Sequence, residues 1–329
     1  MKFLIAGLGS IGRRHFRNLI ALGEKDLILL RSHRATLPDD ELAGYPVETD
    51  LQEALKKHKP DAVIVSNPTA FHLDVAIPVA KTGCTILLEK PISHSMKRLD
   101  QLEEAVTKSG SKVLVAFQFR FHSGLIRAKQ LIEAGQIGRI ISAHVHFGEY
   151  LPAWHPWEDY RKGYAARADL GGGVVLTQCH SLDYLPWLVG QVRSVWGFSG
   201  KVSDLEVDVD DTAKIGLRFT DGALGSLHLD YNRQPPVHTF DIAGTQGTIK
   251  WDLTDGITRI YRAEKKDWEI YPLPNGWERN VMFLEQMKHF IAIVRGEVEP
   301  SCNLLDGIRV QRLVEAVQES QRSGHVINL

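Results

Sequence analysis

Short apolar runs alternate with amphipathic stretches through the first part of the chain. Residues 3–6, 27–30 and 85–88 are too short for helices and almost wholly apolar, as expected of strands buried in a parallel sheet. Between them, apolar side chains recur at helical spacing. The same alternation continues as strands over 61–66 and 112–117 and helices over about 71–81 and 95–108. This alternation predicts a doubly wound parallel α/β sheet.

The pattern changes near residue 121. A helix near 125–134 leads into a strand at 140–147, and from residue 213 onward we expect mainly strands. Hairpin-type turns at Thr220-Asp221-Gly222 and Thr254-Asp255-Gly256 separate some of them. The predicted strands are 214–219, 223–231, 238–243, 248–253 and 257–262. Because 329 residues are many for one core, we predict two domains, 1–120 and 121–329.

A glycine-rich loop follows the first predicted strand and opens a helix. It reads Gly7-Leu8-Gly9-Ser10-Ile11-Gly12, a GxGxxG pattern in the context that dinucleotide binding requires. Glycines allow the tight turn and the approach of a pyrophosphate to the N-terminus of the helix. The loop therefore predicts cofactor contacts, although methyltransferases use similar loops and remain a rival.

The end of the second strand carries positive charge. NAD-binding proteins usually place an acidic residue there, whereas this chain has Arg31-Ser32-His33-Arg34. Guanidinium groups and a hydroxyl suit the 2′-phosphate of NADP. From Arg31, Ser32 and Arg34 we predict a preference for NADP, with NAD possible and a solvated basic loop as the alternative.

Polar residues also follow the next two strands, at the edge where ligands bind in such sheets. Asn67-Pro68 and His72 follow residues 62–66, and Glu89-Lys90-Pro91 follows residues 85–88. We predict that these residues contact the cofactor. The alternatives are turn chemistry with Thr69 as a helix N-cap, and a Lys90 side chain that reaches solvent.

These motifs, together with Gly171-Gly172-Gly173, His180 and Asp183, resemble the Gfo/Idh/MocA oxidoreductase family over essentially the whole chain. The resemblance implies a dinucleotide-binding Rossmann domain at 1–120. For 121–329 it implies a substrate-binding and oligomerisation α/β domain with a large open, mostly antiparallel sheet. It further implies NAD(P)-dependent hydride transfer at a hydroxyl or carbonyl carbon of a sugar, sugar derivative or cyclic polyol, and a homodimer or homotetramer.

The resemblance also assigns catalytic roles. Lys90 matches the active-site lysine and His180 the proton-transfer histidine. One helix is expected to carry Thr177, His180 and Asp183 on one face. Many relatives have an aspartate where Thr177-Gln178-Cys179 stands, so Thr177 is a candidate for a proton relay and Asp183 for orienting His180. The missing carboxylate leaves a non-catalytic NAD(P)-binding sensor as an alternative.

Aromatic and basic residues before the triple glycine suggest substrate contacts. Aromatic faces suit sugar rings, and arginines suit carboxylate or phosphate groups. An interdomain lid with packed tryptophans is an equal alternative. The candidate substrate-binding residues are Arg120, His122, Tyr150, Trp154, Arg161 and Arg167.

The composition of the chain argues against several classes of binding partner. A formal net charge of −1 offers no footprint for nucleic acid or anionic membranes, and no apolar run is long enough to span a bilayer. Three scattered cysteines form neither a disulfide framework nor a zinc pattern. His144 and His146 share one strand face, where a solvated surface is favoured over a metal site. We expect a cytoplasmic enzyme without a metal.

Overall fold

The computed structural model describes residues 1–32 and 37–329 and divides them into two compact units. The first unit contains Met1–Phe117, Asp169–Gly171 and Phe283–Gln311. The second contains Gln118–Ala168, Gly172–Met282 and Arg312–Leu329. The sequence analysis did not predict that the chain returns to the first unit.

Six described strands of the first unit form one parallel sheet in the order β3-β2-β1-β4-β5-β6. This is the doubly wound order, and it confirms the Rossmann prediction. The order reverses between β1 and β4, so ligands are expected beyond the carboxyl ends of these strands. The strands are β1 (Lys2–Ala6), β2 (Asp26–Leu30), β3 (Val47–Glu48), β4 (Ala62–Val65), β5 (Thr85–Leu88) and β6 (Val113–Val115).

Helices connect these strands and cover them, which leaves the central strands almost inaccessible to solvent. Phe3, Leu4 and Ile5 of β1 are fully buried, as are all four residues of β4. Burial on both faces explains why these strands are continuously apolar rather than alternating. The helices are α1 (Ser10–Ala21), α2 (Leu51–His58), α3 (His72–Ala80) and α4 (Leu99–Ser109).

The later segment Phe283–Gln311 completes the core of the first unit. The ring of Phe290 packs against that of Phe3, with centroids 6.3 Å apart. The backbone N–H of Val115 donates to the carbonyl of Cys302 at 2.8 Å. This segment includes parts of two helices that the sequence analysis missed, α8 (Arg279–Val294) and α9 (Leu304–Ser323).

Nine described strands of the second unit form the other sheet, in the order β14-β13-β12-β11-β7-β10-β9-β8-β15. Only the described β7·β10 pair is parallel, which confirms the mostly antiparallel prediction. The strands are β7 (Ile140–Gly148), β8 (Val192–Gly200), β9 (Thr212–Phe219), β10 (Leu224–Asp230), β11 (Val237–Gly244), β12 (Gly247–Asp252), β13 (Thr258–Arg262), β14 (Asp267–Tyr271) and β15 (Ile327–Asn328).

Helices α5 (Ser123–Glu133), α6 (Val174–Thr177) and α7 (His180–Val189) contact this sheet. So does α9, whose Ser320 Oγ accepts from the backbone N of Gly197 in β8 at 3.0 Å. Along β9, Ala213, Ile215, Leu217 and Phe219 are buried and the residues between them are more exposed. This period of two is expected of a sheet with one covered face. No helix in the described part of the chain is both long and apolar enough to cross a membrane.

Candidate active site

The glycine-rich loop of the first unit depends on close backbone approaches. Gly7 has φ +94°, and a Cβ on it would lie 2.4 Å from the backbone N of Asn67. A Cβ on Gly12 would lie 2.0 Å from the carbonyl oxygen of Gly7. These two glycines therefore let β1, α1 and the loop after β4 come together.

Gly9 has a different environment. A Cβ there would find no described atom within 4 Å, and no described side chain caps the start of α1 at this residue. The first turn of α1 thus offers N–H groups and its positive dipole end to an anion. Open space beside Gly9 and free helix N–H groups fit the pyrophosphate of a dinucleotide.

The loop after β4 is held in place by side-chain hydrogen bonds. Ser66 Oγ donates to Gly7 O at 2.8 Å, and Asn67 Nδ2 donates to Phe71 O at 2.9 Å. His72 is 1% exposed, and its two ring nitrogens each lie 2.9 Å from a carbonyl oxygen, those of Pro91 and Asn67. His72 therefore ties the loops after β4 and β5 together. Its predicted cofactor contact, like those of Asn67 and Pro68, stays a prediction.

Thr69 does not cap α3. It begins a short 3₁₀ turn over Thr69–Phe71, and α3 starts at His72 without a described side-chain cap. The alternative offered for Thr69 is therefore wrong, because the 3₁₀ turn separates this residue from the first turn of α3.

Glu89 anchors the loop that carries Lys90. Its Oε1 lies 2.7 Å from Nε2 of His15, a fully buried residue of α1, and its Oε2 accepts from the backbone N of Lys90 at 3.2 Å. The Lys90 residue itself is partly exposed. A buried carboxylate paired in this way fixes the loop against the helix that follows the glycine-rich turn.

The basic end of β2 contains acidic partners that the sequence analysis did not consider. Arg31 donates to Asp39 Oδ1 at 2.6 Å, and the buried Arg13 donates to the same oxygen at 3.1 Å. The hydrogen bond from Arg31 holds the pKa of Asp39 below its usual range. Ser32 is exposed, and Arg34 lies outside the described residues.

In the second unit, His180 stands at the start of a helix rather than within one. The prediction of a single helix through Thr177, His180 and Asp183 is wrong, because α6 ends at Thr177 and α7 begins at His180. The backbone N of Gln178 still donates to Val174 O at 2.9 Å, while its side-chain Nε2 donates to the carbonyl of Asp230 at 3.1 Å. Thr177 and His180 therefore do not share one continuous helical face.

The third glycine of the triple-glycine segment fixes the start of α6. Gly173 has φ +108°, and a Cβ on it would lie 2.4 Å from Asp210 Oδ1. The carboxylate of Asp210 accepts from the backbone N of Val175 at 3.1 Å, which satisfies an N–H of the first turn. Only glycine combines this backbone conformation with the space that Asp210 occupies.

His180 is 5% exposed and surrounded by polar and aromatic groups. Nε2 of Gln118 lies 3.4 Å from Nε2 of His180, and the Phe119 ring meets the imidazole edge-on with centroids 4.9 Å apart. Gln118 and Phe119 thus lie directly against the imidazole and hold its orientation.

Asp183 and Arg120 form a buried ion pair. Arg120 donates to the carboxylate through Nε at 3.0 and 3.1 Å and through a terminal nitrogen at 2.6 Å. The side chain of Asp183 is 1% exposed and that of Arg120 is 10% exposed. Removal from water strengthens the pair and makes either charge costly to leave alone. The predicted roles of Asp183 in orienting His180 and of Arg120 in binding substrate remain predictions.

The hydroxyl of Thr177 belongs to a buried hydrogen-bonded chain. Thr177 Oγ1 donates to Gly173 O at 2.9 Å and accepts a short hydrogen bond from the hydroxyl of Tyr231, whose oxygen lies 3.3 Å from Ala165 O. Burial raises the pKa of Tyr231 well above its ordinary value. A neutral phenol therefore connects α6 to the end of β10 and to the segment around Ala165.

Predicted substrate residues lie in varied surroundings. His122 is fully buried, and its Nδ1 accepts from the backbone N of Gly124 at the start of α5. Burial lowers the pKa of His122 to about 4. Arg161 is about half exposed and paired with Asp159 and Glu206. Trp154 packs edge-on against Tyr231 with centroids 5.5 Å apart, and Tyr150 and Arg167 are partly exposed.

Comparison with known proteins supplies the identity. Residues 1–117 match the family described as "Oxidoreductase family, NAD-binding Rossmann fold", and residues 125–250 match "GFO/IDH/MocA C-terminal domain". The chain belongs to the Gfo/Idh/MocA oxidoreductase family. The resemblance stated from the sequence is thereby confirmed, and the glycine-rich loop belongs to an NAD-binding fold rather than to a methyltransferase.

Individual relatives are distant but extend over the whole chain. Myo-inositol 2-dehydrogenase of Thermotoga maritima is 26% identical and covers 100% of this chain and 98% of its own. The structure of the WlbA dehydrogenase from Bordetella pertussis, solved with NADH and UDP-GlcNAcA, is 23% identical with a TM-score of 0.83. The match covers 100% of this chain and 98% of the WlbA chain. The structure of levoglucosan dehydrogenase, solved with NADH and levoglucosan, is 21% identical with a TM-score of 0.86. The match covers 100% of this chain and 99% of the levoglucosan dehydrogenase chain. These structures share the fold of this Gfo/Idh/MocA chain.

Two residues of the candidate site were missed from the sequence, Gln118 and Tyr231. Gln118 follows directly after the apolar stretch that contains β6, the same position that drew attention to Lys90 after β5. Tyr231 continues the buried alternation Leu227, Leu229, Tyr231 along β10. The strand-end rule and the period of two could have found both.

Proposed function

We propose that this chain is an NAD(P)-dependent dehydrogenase or reductase that acts on a CH–OH group of a sugar, sugar derivative or cyclic polyol. The family match and the names of the inositol and levoglucosan dehydrogenases support this substrate class. The observation that carries the proposal is His180, a buried imidazole whose Nε2 lies 3.4 Å from the side-chain amide nitrogen of Gln118. Such an imidazole suits proton transfer at a carbinol.

In the proposed reaction, His180 takes the hydroxyl proton during oxidation and returns it during reduction. Lys90 supplies an ammonium that stabilises developing negative charge on the substrate. A bound nicotinamide ring supplies the hydride acceptor or donor. Thr177 acts as a positioning residue in this proposal, because its hydroxyl bonds Gly173 and Tyr231.

For the cofactor, we propose a preference for NADP over NAD, with both accepted. Arg31 stands where the 2′-substituent of the ribose is expected. Within the described part of this cluster, three arginines (Arg13, Arg17, Arg31) face two carboxylates, Asp39 and Glu41. The excess positive charge favours a 2′-phosphate. Michaelis constants for NADPH and NADH test this proposal, and a clear preference for NADH would contradict it.

The test of the activity is NAD(P)H formation or consumption with a panel of sugars, inositols and acidic sugars. With an accepted substrate, His180→Ala and Lys90→Ala are each expected to lower kcat by roughly two orders of magnitude or more. Binding of NADH, followed by its fluorescence, should persist in His180→Ala. His144→Ala, which changes an exposed histidine of the same unit, is the matched control. Near-native turnover in both active-site variants would overturn the mechanism.

A second candidate is a non-catalytic NAD(P)-binding sensor. It is favoured by the absence of a carboxylate at Thr177-Gln178-Cys179 and by the engagement of the Thr177 hydroxyl. Tight cofactor binding without turnover of any panel substrate would support the sensor and contradict the dehydrogenase.

We also propose that the protein is a homodimer or homotetramer. Trp196 and Phe198 of β8 are exposed and pack edge-on against each other on the open face of the larger sheet. Exposed aromatic pairs of this kind are enriched at protein interfaces. Sedimentation equilibrium gives the mass in solution, and a monomer at micromolar concentration would contradict this proposal.

A further inference from the structure

Three side chains converge on one point of the larger sheet, on the face opposite its helices. His146 lies on β7, and His228 and Asp230 lie on β10. His146 and His228 are direct partners in the parallel β7·β10 register, and Asp230 follows two residues later, so all three share a face. The Nε2 atoms of His146 and His228 lie 3.4 and 3.0 Å from the same oxygen, Oδ2 of Asp230.

These separations match the needs of a small transition-metal ion. With metal–ligand bonds of about 2.0–2.1 Å, tetrahedral geometry separates neighbouring ligand atoms by roughly 3.3 Å. Two of the three pairs lie near this value, and all three ligand atoms lie within 4.8 Å of one another. Two imidazoles and a carboxylate form a donor set used for zinc and related divalent ions.

The carboxylate is held in position before any ion binds. Oδ1 of Asp230 accepts from the backbone N of Asn232 at 2.9 Å, which leaves Oδ2 directed at the two histidines. Gly148 makes room for it, since a Cβ there would lie 2.4 Å from Oδ2. Asp230 itself is only 4% exposed. The cluster is thus a built site rather than a chance meeting of long surface side chains.

One cation competes for the same oxygen. Nε of Arg233 lies 3.7 Å from Oδ2 of Asp230, and its side chain is 41% exposed. The length and exposure of this side chain let it turn away when an ion arrives. Arg233 therefore weakens metal binding without blocking it.

We propose that His146, His228 and Asp230 bind a divalent transition-metal ion, for which zinc is the best match. The ion joins the ends of β7 and β10. Asp230 is also the residue whose carbonyl accepts the Gln178 amide, and the next residue, Tyr231, holds Thr177. A bound ion thus stiffens the strand end that supports the segment before His180. Zinc binding does not depend on the proposed enzymatic activity.

The test is calorimetric titration of the full chain with zinc sulfate after treatment with a chelator and dialysis. We expect a single ion per chain in the wild type, and an affinity lower by about tenfold or more in His146→Ala and in His228→Ala. His144→Ala is the matched control: this histidine is two residues away on the same face of β7 and bonds Ser226 instead. It should bind zinc like the wild type.

A spectroscopic readout separates a defined site from loose surface binding. Cobalt at the proposed site should give visible ligand-field absorption in the wild type and in His144→Ala, and lose it in His228→Ala. Circular dichroism without metal checks that the variants fold, and His228→Asn replaces His228→Ala if that variant does not. Absence of stoichiometric zinc binding in the wild type would overturn the proposal. It would also be overturned if His146→Ala and His228→Ala bound zinc with the affinity of the wild type.

Discussion

The cofactor-binding edge of the first unit and the His180 segment of the second unit are built in opposite ways. The first is mainly backbone: Gly7 and Gly12 allow contacts that a single added Cβ would prevent. The second is mainly buried side chains: Arg120 with Asp183, and Thr177 with Tyr231. An extra methyl group should therefore damage the first region, whereas loss of a polar partner should damage the second.

The largest expected effect is in the second unit, at the Arg120–Asp183 pair. Asp183→Ala leaves a buried guanidinium without its carboxylate and should lower the free energy of unfolding by about 3–5 kcal/mol. Urea denaturation measures this change. In the double variant Arg120→Met/Asp183→Leu much of the loss should be recovered, because no charge is then left alone. Additive losses in the double variant would show that the pair is not coupled.

In the first unit, Gly12→Ala should lower the free energy of unfolding by about 2–4 kcal/mol, because its Cβ would lie 2.0 Å from Gly7 O. Gly9→Ala is the matched control. Gly9 has φ −73° and open space, so alanine fits the backbone there. Gly9→Ala should keep the wild-type melting temperature yet weaken NADH binding about tenfold or more, because the methyl group obstructs the pyrophosphate. Equal melting temperatures in both variants would contradict the backbone argument.

The buried histidine at the start of α5 gives a pH test of the side-chain region. Burial lowers the pKa of His122 to about 4, below the value of about 6.5 expected when unfolded. The unfolded chain then binds more protons between these values. The stability is present in full above pH 6.5 and is lost as the pH falls towards 4.

Between pH 7 and pH 5, this residue should account for about 2 kcal/mol of lost stability. His122→Asn keeps an acceptor for Gly124 N–H without the titration, so its urea midpoint should fall less over this range. Other buried histidines titrate in both proteins and cancel in the difference. Parallel pH profiles would show that His122 is not the source.

The smallest effect concerns the basic end of β2. Asp39→Ala removes the carboxylate that pairs with Arg31 and should raise the ratio of kcat/KM for NADPH to that for NADH by about two- to fivefold. Arg31→Ala should shift the ratio the other way. If neither change alters the ratio, the Arg31–Asp39 pair does not discriminate between NADP and NAD at the 2′-position of the ribose.

The sequence predicted the first unit better than the second, for a physical reason. Buried parallel strands are local apolar runs, and β5 was expected at 85–88 and found at Thr85–Leu88. The start of α4 was misplaced because Arg98 adopts φ +67° just before Leu99, and nothing in the residue type indicates this. Like these apolar runs, glycine loops and strand ends are short-range signals that can be identified from the sequence.

The His180 segment depends on partners that are distant in sequence. The helix break after Thr177 is accompanied by the hydrogen bond from Gln178 to Asp230, 52 residues away. The zinc-site candidate depends on the parallel β7·β10 register, which joins residues 82 apart and is not made by a hairpin. Periodicity showed His144 and His146 on one face but could not show that His228 and Asp230 lie beside His146.

The return of Phe283–Gln311 to the first unit has a consequence for synthesis. A ribosome releases the six strands of the first sheet long before it makes Phe290 and Cys302, which complete that core. The core of the first unit therefore stays incompletely packed while eight of the nine described strands of the larger sheet are translated. An incompletely packed core exposes apolar surface, which promotes aggregation. We expect a fragment ending at residue 120 to aggregate and to regain solubility only when residues 283–311 are supplied.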